Sequence, residues 1–490
     1  MYSILHLSDL HRSAAEPISN ESLIAALLAD NDRFPMETPP IRQPDAMVVS
    51  GDMVAGVRLG DSNFESVLKG QYEVAHEFLA ELTDRLLDGD RSRVVMVPGN
   101  HDCCWNTAFG AMVTVPDEEE IDDLIGELES WSTDLRWSWD KRKLYRVSDI
   151  EAYSRRLESY WDFVEGFYGS DTRQFPLQRN KGYNLYELDK GRILIAGFES
   201  VQGNDCFSYK GGIDPTAIAN AALEIRDEGA RYSLRIAVWH HGLHSEPSYR
   251  SDYVSMNSIY DLIGHRFQLG LHGHQHYAEI GSHYVRVPND LEMAVVSAGS
   301  LCAGSRELPW GINRQYNVVV VSDDYSEIEV HVREMTRGNH FVASSGASGI
   351  ASGMVRMRLA QSTVSDGVEA DMDQDRNNTL ILEAERELRS GRPEAALSLL
   401  EAADRKEVAY ARSLAVEAAE KLEQWEKVAT LLERPVNAGE RVKLVEALVQ
   451  LGRTEEAMEA VGRPDGPALA RHVRRELEQR IARLRAIQGK

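Results

Sequence analysis

Cysteine is scarce in this chain of 490 residues: Cys103, Cys104, Cys206 and Cys302 are the whole supply, with no CxxC pair and no even framework of spacings. A disulfide scaffold is thereby excluded, and a reducing cytosol is the expected compartment. Long apolar runs are missing too. None approaches the roughly 20 residues that span a bilayer. Met1 leads directly into the strand-like Tyr2-Ser3-Ile4-Leu5-His6-Leu7 without a basic leader, so neither a membrane span nor export is expected. Basic charge is the third shortage: 54 Lys and Arg stand against 78 Asp and Glu, a net charge of −24. The part from Asp371 onward is nearly neutral, so almost all of the excess lies before it. That is the reverse of a surface that holds nucleic acid mainly through its phosphates, and bulk duplex binding is disfavoured.

What the chain does have is strand ends loaded with polar groups. The run Arg93-Val94-Val95-Met96-Val97 reads as a buried strand, and Pro98-Gly99-Asn100-His101-Asp102 follows it, with Gly99 freeing the turn. Open α/β sheets place their ligand-binding groups at the carboxyl ends of strands, and an Asn, a His and an Asp in succession there suggest metal and proton-transfer work. The arrangement recurs. Tyr2 to Ser8 leads into Asp9-Leu10-His11, whose two polar residues share one side of an extended segment. Asp45 to Ser50 ends in Gly51-Asp52, Leu234 to Trp239 in His240-His241-Gly242, and Phe267 to Leu271 in His272-Gly273-His274-Gln275-His276.

Helical spacing over Asn20 to Asp30, with Asn20 as N-cap, and over Gln71 to Leu87 completes a β-α-β-α-β rhythm and predicts an α/β sheet. Tyr183 to Leu188 and Arg192 to Phe198 read as paired strands, and Pro215 to Arg226 as a helix capped by Asp214. Val285 to Val287, Met293 to Ser297, Tyr316 to Ser322 and Glu327 to Glu334 are expected to supply a second sheet. An insertion at about 111–180 opens on the acidic Asp117 to Glu129. It carries Trp131, Trp137, Trp139, Tyr145, Tyr153, Tyr160, Trp161, Phe163 and Phe167, and reads as a helical cap whose core those rings form rather than as a base-stacking surface.

The length predicts two domains. Residues 343–378, rich in Ser, Gly, Ala and Asp, read as a linker, with Met354-Val355-Arg356-Met357 as a short ordered piece. Residues 379–490 read as helical, and three related pieces recur there: Gly391-Arg392-Pro393-Glu394-Ala395-Ala396, Gln424-Trp425-Glu426-Lys427-Val428-Ala429 and Gly452-Arg453-Thr454-Glu455-Glu456-Ala457. They resemble tetratricopeptide-like repeats with shortened periods; a plain helical bundle is the alternative.

Collected in order, the strand-end groups Asp9/His11, Asp52, Asn100/His101/Asp102, His240/His241 and His274/His276 resemble the calcineurin-like metallophosphoesterases, whose pattern runs DxH, GD, GNH(D/E), H and GHxH. The likeness covers residues 1 to about 340. It implies an α/β fold, a four-layer α-β-β-α sandwich with a helical insertion over residues 1–342, ahead of the C-terminal all-α, repeat-like domain. It also implies two divalent metal ions (Mn, Fe, Zn, Co or Ni), one held by Asp9, His11 and His276, the other by Asn100, His240 and His274, with Asp52 bridging. Two cations about 3.5–4 Å apart need a shared carboxylate to offset their repulsion, while imidazoles and an amide leave the centre positive. Either His240 or His241 fills its place; His240, the first residue past the strand, is preferred. A bridging water would attack phosphorus. His101 would protonate the leaving oxygen or only hold the phosphate, and Asp102 would orient its imidazole. His6, His244 and His272 are expected to be structural.

The turn Gly51-Asp52-Met53-Val54-Ala55-Gly56 departs from the GDYVDRG of the family's protein phosphatases, and Gly99-Asn100-His101-Asp102 from their GNHE. The chain looks closer to the bacterial phosphodiesterase branch, which includes cyclic-nucleotide phosphodiesterases and SbcD-type nucleases. The expectation is therefore a cytoplasmic, metal-dependent phosphodiesterase acting on nucleotide-type phosphodiesters. A DNA or RNA nuclease working with a partner, a protein phosphatase and a non-catalytic, metal-stabilised scaffold are the alternatives. The full ligand set favours catalysis, and the appended repeats speak for a protein partner or self-association.

Overall fold

The computed structural model of the chain describes its residues except 14–17, 117–132, 170–172, 228–231, 244–251, 286–290, 305–306, 310, 345–352, 361–379, 382–383, 385–386, 389–390, 403–408, 436–437, 464–470 and 489–490. The acidic opening Asp117 to Glu129, Trp131, His244 and most of 343–378 fall outside the described residues.

Two sheets carry the first compact unit, Met1–Tyr284 with Glu292–Val364. The larger has seven strands in the order Phe341–Ala343, Glu327–Met335, Gln315–Val321, Tyr2–Leu7, Ala46–Val49 and Val94–Met96, with Met354–Arg358 also paired to Glu327–Met335. The other runs Glu279–Val285, Leu291–Ser297, Leu269–His272, Leu234–Val238, Ile193–Phe198, Tyr183–Leu188. Tyr2–Leu7, Ala46–Val49 and Val94–Met96 are mutually parallel, as are Ile193–Phe198, Leu234–Val238 and Leu269–His272. Their carboxyl ends therefore emerge along one edge of each sheet.

Several expectations need correction. Gln315–Val321 and Glu327–Met335 belong to the first sheet, where Val319 lies opposite Ile4 in antiparallel register. All seven residues of Gln315–Val321 are buried, as befits a strand in the middle of a sheet covered on both faces. Met354–Arg358, where a short ordered piece is expected, is ordered as a strand of that same sheet. Ser19, not Asn20, caps the first helix, its hydroxyl accepting from the Ser22 N–H at 3.3 Å. The insertion is not wholly helical: Met112–Thr114, Lys143–Val147 and Leu135–Ser138 form an antiparallel sheet. Strands of three to five residues hold at most two periods of alternation, too few to register in the sequence. Trp139 lies 83% exposed and is no part of a core, whereas Tyr145, Tyr153, Tyr160, Trp161, Phe163 and Phe167 are buried.

One apolar cluster takes Leu5, Val48, Val95 and Val318 from the first sheet and Ile195, Ile236, Val238 and Leu271 from the second. The Tyr186 hydroxyl donates to the Met96 carbonyl at 3.1 Å and joins the sheets where the first parallel strands end.

The second unit comprises Ser365–Lys490 with Val285–Leu291. Its helices Pro393–Ala402, Ala409–Lys421, Trp425–Leu431, Ala438–Gln450, Thr454–Gly462 and Arg471–Gln488 each pack against the next, and Val428, Val445, Ala457 and Ile481 are buried in its core. The three related pieces share one backbone device. Gly391, Glu423 and Gly452 all have positive φ, at 73°, 55° and 72°. Each N–H reaches the carbonyl three residues back, and the next N–H reaches five back (Arg392 to Glu387, Gln424 to Ala419, Arg453 to Leu448, all 2.9 Å). This left-handed cap closes a helix by satisfying its last carbonyls.

Candidate metal centre

Every polar group singled out at a strand end follows a parallel strand directly, and the backbone ties the ends together. The Asp9 N–H donates to the Gly51 carbonyl at 3.1 Å and the His11 N–H to the Asp52 carbonyl at 2.9 Å. The Asp52 Oδ1 accepts from the His101 N–H at 2.8 Å, and the Asp9 Oδ2 from the His274 N–H at 3.0 Å. Asp9, His11, Asp52, His274 and His276 all sit at φ between 43° and 72°, a left-handed region that costs an L residue about 1–2 kcal/mol. The cluster is packed so closely that two glycines are obligatory. A Cβ on Gly51, itself at φ 100°, would stand 2.3 Å from His240 Nδ1, and one on Gly99 would stand 2.1 Å from Asp52 Oδ1. Gly99 has φ −108°, so space rather than conformational freedom requires glycine there.

The donors fall into two sets. Asp9 Oδ1 lies 3.2 Å from His276 Nε2 and 3.9 Å from His11 Nε2, which is 3.4 Å from His276 Nε2 and 3.9 Å from Asp52 Oδ2. On the other side His240 Nε2 lies 2.9 Å from Asn100 Oδ1, 3.3 Å from Asp52 Oδ2 and 3.3 Å from His274 Nδ1, with Asn100 Oδ1 3.0 Å from His274 Nδ1. Asp52 Oδ2 faces both sets. The structure thus brings all seven expected ligands together.

The chemistry of this donor set fits cations. His240 Nδ1 meets the Ser50 carbonyl at 2.8 Å and His276 Nδ1 the Glu307 carbonyl at 2.9 Å. A carbonyl only accepts, so both Nδ1 atoms carry hydrogen and both Nε2 atoms turn bare lone pairs toward carboxylate and amide oxygens. Among the described residues no hydrogen-bond donor is assigned to the buried Asp9 Oδ1. Lone pairs converging on lone pairs need either protons or metal ions between them. Without metal, protons serve. Burial disfavours the His240 and His276 cations, yet Asp52 beside the one and Asp9 beside the other push both up to about 9. Burial likewise opposes ionisation of Asp9 and Asp52, and the same imidazoles hold both below the ordinary carboxylate value. Burial and the neighbouring His101 lower His11 to about 4.

His241 is held by Ser200 through Nδ1, and its ring packs 4.7 Å from that of His274. Ser200 Oγ accepts from the N–H groups of His240 and His241 at 3.1 and 3.2 Å, so its own hydrogen goes to His241 Nδ1 at 3.0 Å. His6 binds Ser50 Oγ at 3.0 Å through Nε2, and His272 stacks on Trp239 with 5.5 Å between centroids.

His101 and Asp102 are not brought together as expected. His101 Nδ1 donates to the Ala55 carbonyl at 2.8 Å, and its ring meets His11 edge to face at 4.6 Å. The Asp102 carboxylate accepts instead from Gly99 N–H at 2.8 Å, Met53 N–H at 3.3 Å and the Tyr72 hydroxyl at 3.1 Å. The Ala55 carbonyl therefore orients the imidazole, and Asp102 ties its loop to Met53 and Tyr72. Sequence reasoning missed this carbonyl along with Tyr72, Ser200 and Asp252, whose Oδ2 stands 3.8 Å from His274 Nε2. A backbone carbonyl leaves no trace in residue identity, and Tyr72 and Asp252 belong to no motif.

Residues 2–278, more than half of the chain, match the family model of the calcineurin-like phosphoesterases. Among solved structures the chain is similar to a single mutant of Vps29 from Entamoeba histolytica at 10% identity, over 73% of this chain and 98% of that one, with a TM-score of 0.25. It is also similar to Vps29 of Chaetomium thermophilum at 8% identity, over 75% and 99%, with a TM-score of 0.28. Scores that low carry no argument about this chain. A search of curated proteins gives no match.

Proposed function

We propose, from the premise that the chain belongs to the calcineurin-like phosphoesterase family, that it is a phosphodiesterase with a dinuclear metal centre acting on nucleotide-type phosphodiesters. One observation carries the reading: two sets of oxygen and nitrogen lone pairs, their tautomers fixed from behind by carbonyls, share Asp52 Oδ2. Asp9, His11 and His276 would hold one divalent ion and Asn100, His240 and His274 the other, with Asp52 between them. The mixed oxygen and nitrogen shell suits Mn, Fe, Zn, Co or Ni. Ions bound there would polarise a phosphoryl oxygen and lower the pKa of a water for attack on phosphorus.

The chain's own groups do the rest. Asp9 and Asp52 are the only anionic ligands, so the centre draws phosphate into an otherwise acidic domain. The Ala55 carbonyl occupies the His101 Nδ1 hydrogen, which leaves Nε2 for substrate. As an imidazolium His101 donates a proton from Nε2 to the leaving oxygen; as neutral imidazole that atom only accepts. Asp102 holds the turn that aims His101 rather than the ring itself. The fold we read around this centre is the four-layer sandwich of the family, spanning residues 1–342.

The departures from the protein-phosphatase motifs and the acidic charge support a small phosphodiester over a phosphoprotein or a duplex. We read the C-terminal helices as a tetratricopeptide-like module for a protein partner or self-association, supported by the left-handed cap recurring at Gly391, Glu423 and Gly452. Among the described residues no helix is long and apolar enough to cross a membrane. The test is hydrolysis of bis-p-nitrophenyl phosphate with added Mn against the monoester p-nitrophenyl phosphate. Turnover of the diester ahead of the monoester supports the reading; a stably folded, metal-loaded protein that cleaves neither would be the scaffold.

A further inference from the structure

We propose that Trp105 and Tyr209 form a subsite for a nucleobase, so that the preferred ester carries a planar base next to the scissile phosphate; this rests on the phosphodiesterase reading and narrows its substrate class. Trp105 opens the helix Trp105–Gly110, four residues after His101. That helix is pinned to the loop after Asp52: the Asn106 amide donates to the Arg58 carbonyl at 3.0 Å and its oxygen accepts from the Gly60 N–H at 2.7 Å. Tyr209 stands on the loop closed by the bridge between Val201 and Gly212. Gly211 in that loop lies so close to His241 that a Cβ there would come within 2.6 Å of its ring. The two rings therefore come from separate segments, one continuous with the His101 turn and the other packed on His241. They meet edge to face with 6.2 Å between centroids.

Both keep surface for a ligand. Tyr209 is 49% exposed, and Trp105 is half-buried. Their setting is built rather than loose. Phe109 meets Phe207 at 5.7 Å, Phe207 stacks on Tyr145 at 4.9 Å, and Lys141 Nζ sits 4.2 Å over Phe109. A flat heteroaromatic base is the part of a nucleotide ester that stacks on such faces whatever its identity, whereas a simple alkyl ester offers no ring. The chain's net charge of −24 favours one nucleotide unit over a long polyanion.

The experiment compares the p-nitrophenyl ester of thymidine 5′-monophosphate with ethyl p-nitrophenyl phosphate, which release the same leaving group. Stacking on one base is worth about 5- to 150-fold in affinity. Trp105→Ala and Tyr209→Ala should each lower the kcat/KM preference for the thymidine ester by a factor in that range, mainly through KM, and Trp105→Phe should keep most of it. An unchanged preference in variants that melt like the parent overturns the subsite. If the parent cleaves neither ester, the phosphodiesterase reading has failed, and the subsite is decided by binding. Adenosine monophosphate should then quench tryptophan emission in the full chain, ribose 5-phosphate should not, and Trp105→Phe should abolish the quench. Equal quenching by both compounds, or none, overturns it.

Discussion

Asp102→Asn separates a catalytic Asp102 from a structural one. The carboxyl is fully buried, and burial, with the Asp52 charge adding to it, raises it to about 7 from an ordinary 3.8. Such a group favours the folded state less once ionised. Its share of stability is intact below about pH 4, falls as pH rises toward 7 and stays lost above, a total of about 4 kcal/mol. Asparagine fits without that titration. Its oxygen can take the Gly99 and Met53 N–H groups, and its NH2 can donate to the Tyr72 oxygen, as a protonated carboxyl would. In urea unfolding of chelator-treated protein, the variant should match the parent near pH 4 and exceed it increasingly up to about pH 8. Because no bond joins Asp102 to the His101 ring, the dependence of rate on leaving group should not change. A stability difference that is flat, or that favours the parent at pH 8, would refute the reasoning and return Asp102 to the role of partner for a charged His101.

Asp52→Asn removes the anion facing both donor sets, so metal affinity should fall by more than about 100-fold at both positions while circular dichroism stays native; equilibrium dialysis checks it, and parent-like occupancy would sink the bridge. His101→Ala should slow alkyl esters more than p-nitrophenyl esters by about 10²–10⁴-fold with metal content unchanged; a uniform loss would leave His101 only holding phosphate. Glu423 is exposed and is the one non-glycine among three equivalent left-handed caps. Glu423→Gly should therefore stabilise the C-terminal helices by about 1 kcal/mol, read by thermal unfolding, whereas Gly452→Ala should destabilise them.

Legibility in the sequence followed the distance over which each feature is encoded. The parallel strands and the groups after them could be read because an apolar run and its polar end are contiguous. The helix Glu158–Tyr168 announces itself through the spacing of Leu157, Trp161 and Val164, all buried. Membership of Gln315–Val321 in the first sheet was not legible, since a buried strand looks the same in either sheet and its neighbour Tyr2–Leu7 lies some 300 residues away. At the centre, residue identity pointed to the candidate ligands, while the tautomers of His240, His101 and His276 depend on the carbonyls of Ser50, Ala55 and Glu307, which any residue would supply. The pairing of His101 with Asp102 was inferred from adjacency. In the turn Asn100–Asp102 the carboxylate instead reaches back to the Gly99 N–H, and the ring faces the loop after Asp52.

The central claim is that Asp52 Oδ2 stands between two cation sites. Elemental analysis of the full chain by plasma mass spectrometry, after loading with Mn and exhaustive dialysis, tests it most directly. Two metal ions per chain, falling to one or none in Asp52→Asn, is the predicted result; one ion or none in a folded parent would contradict it.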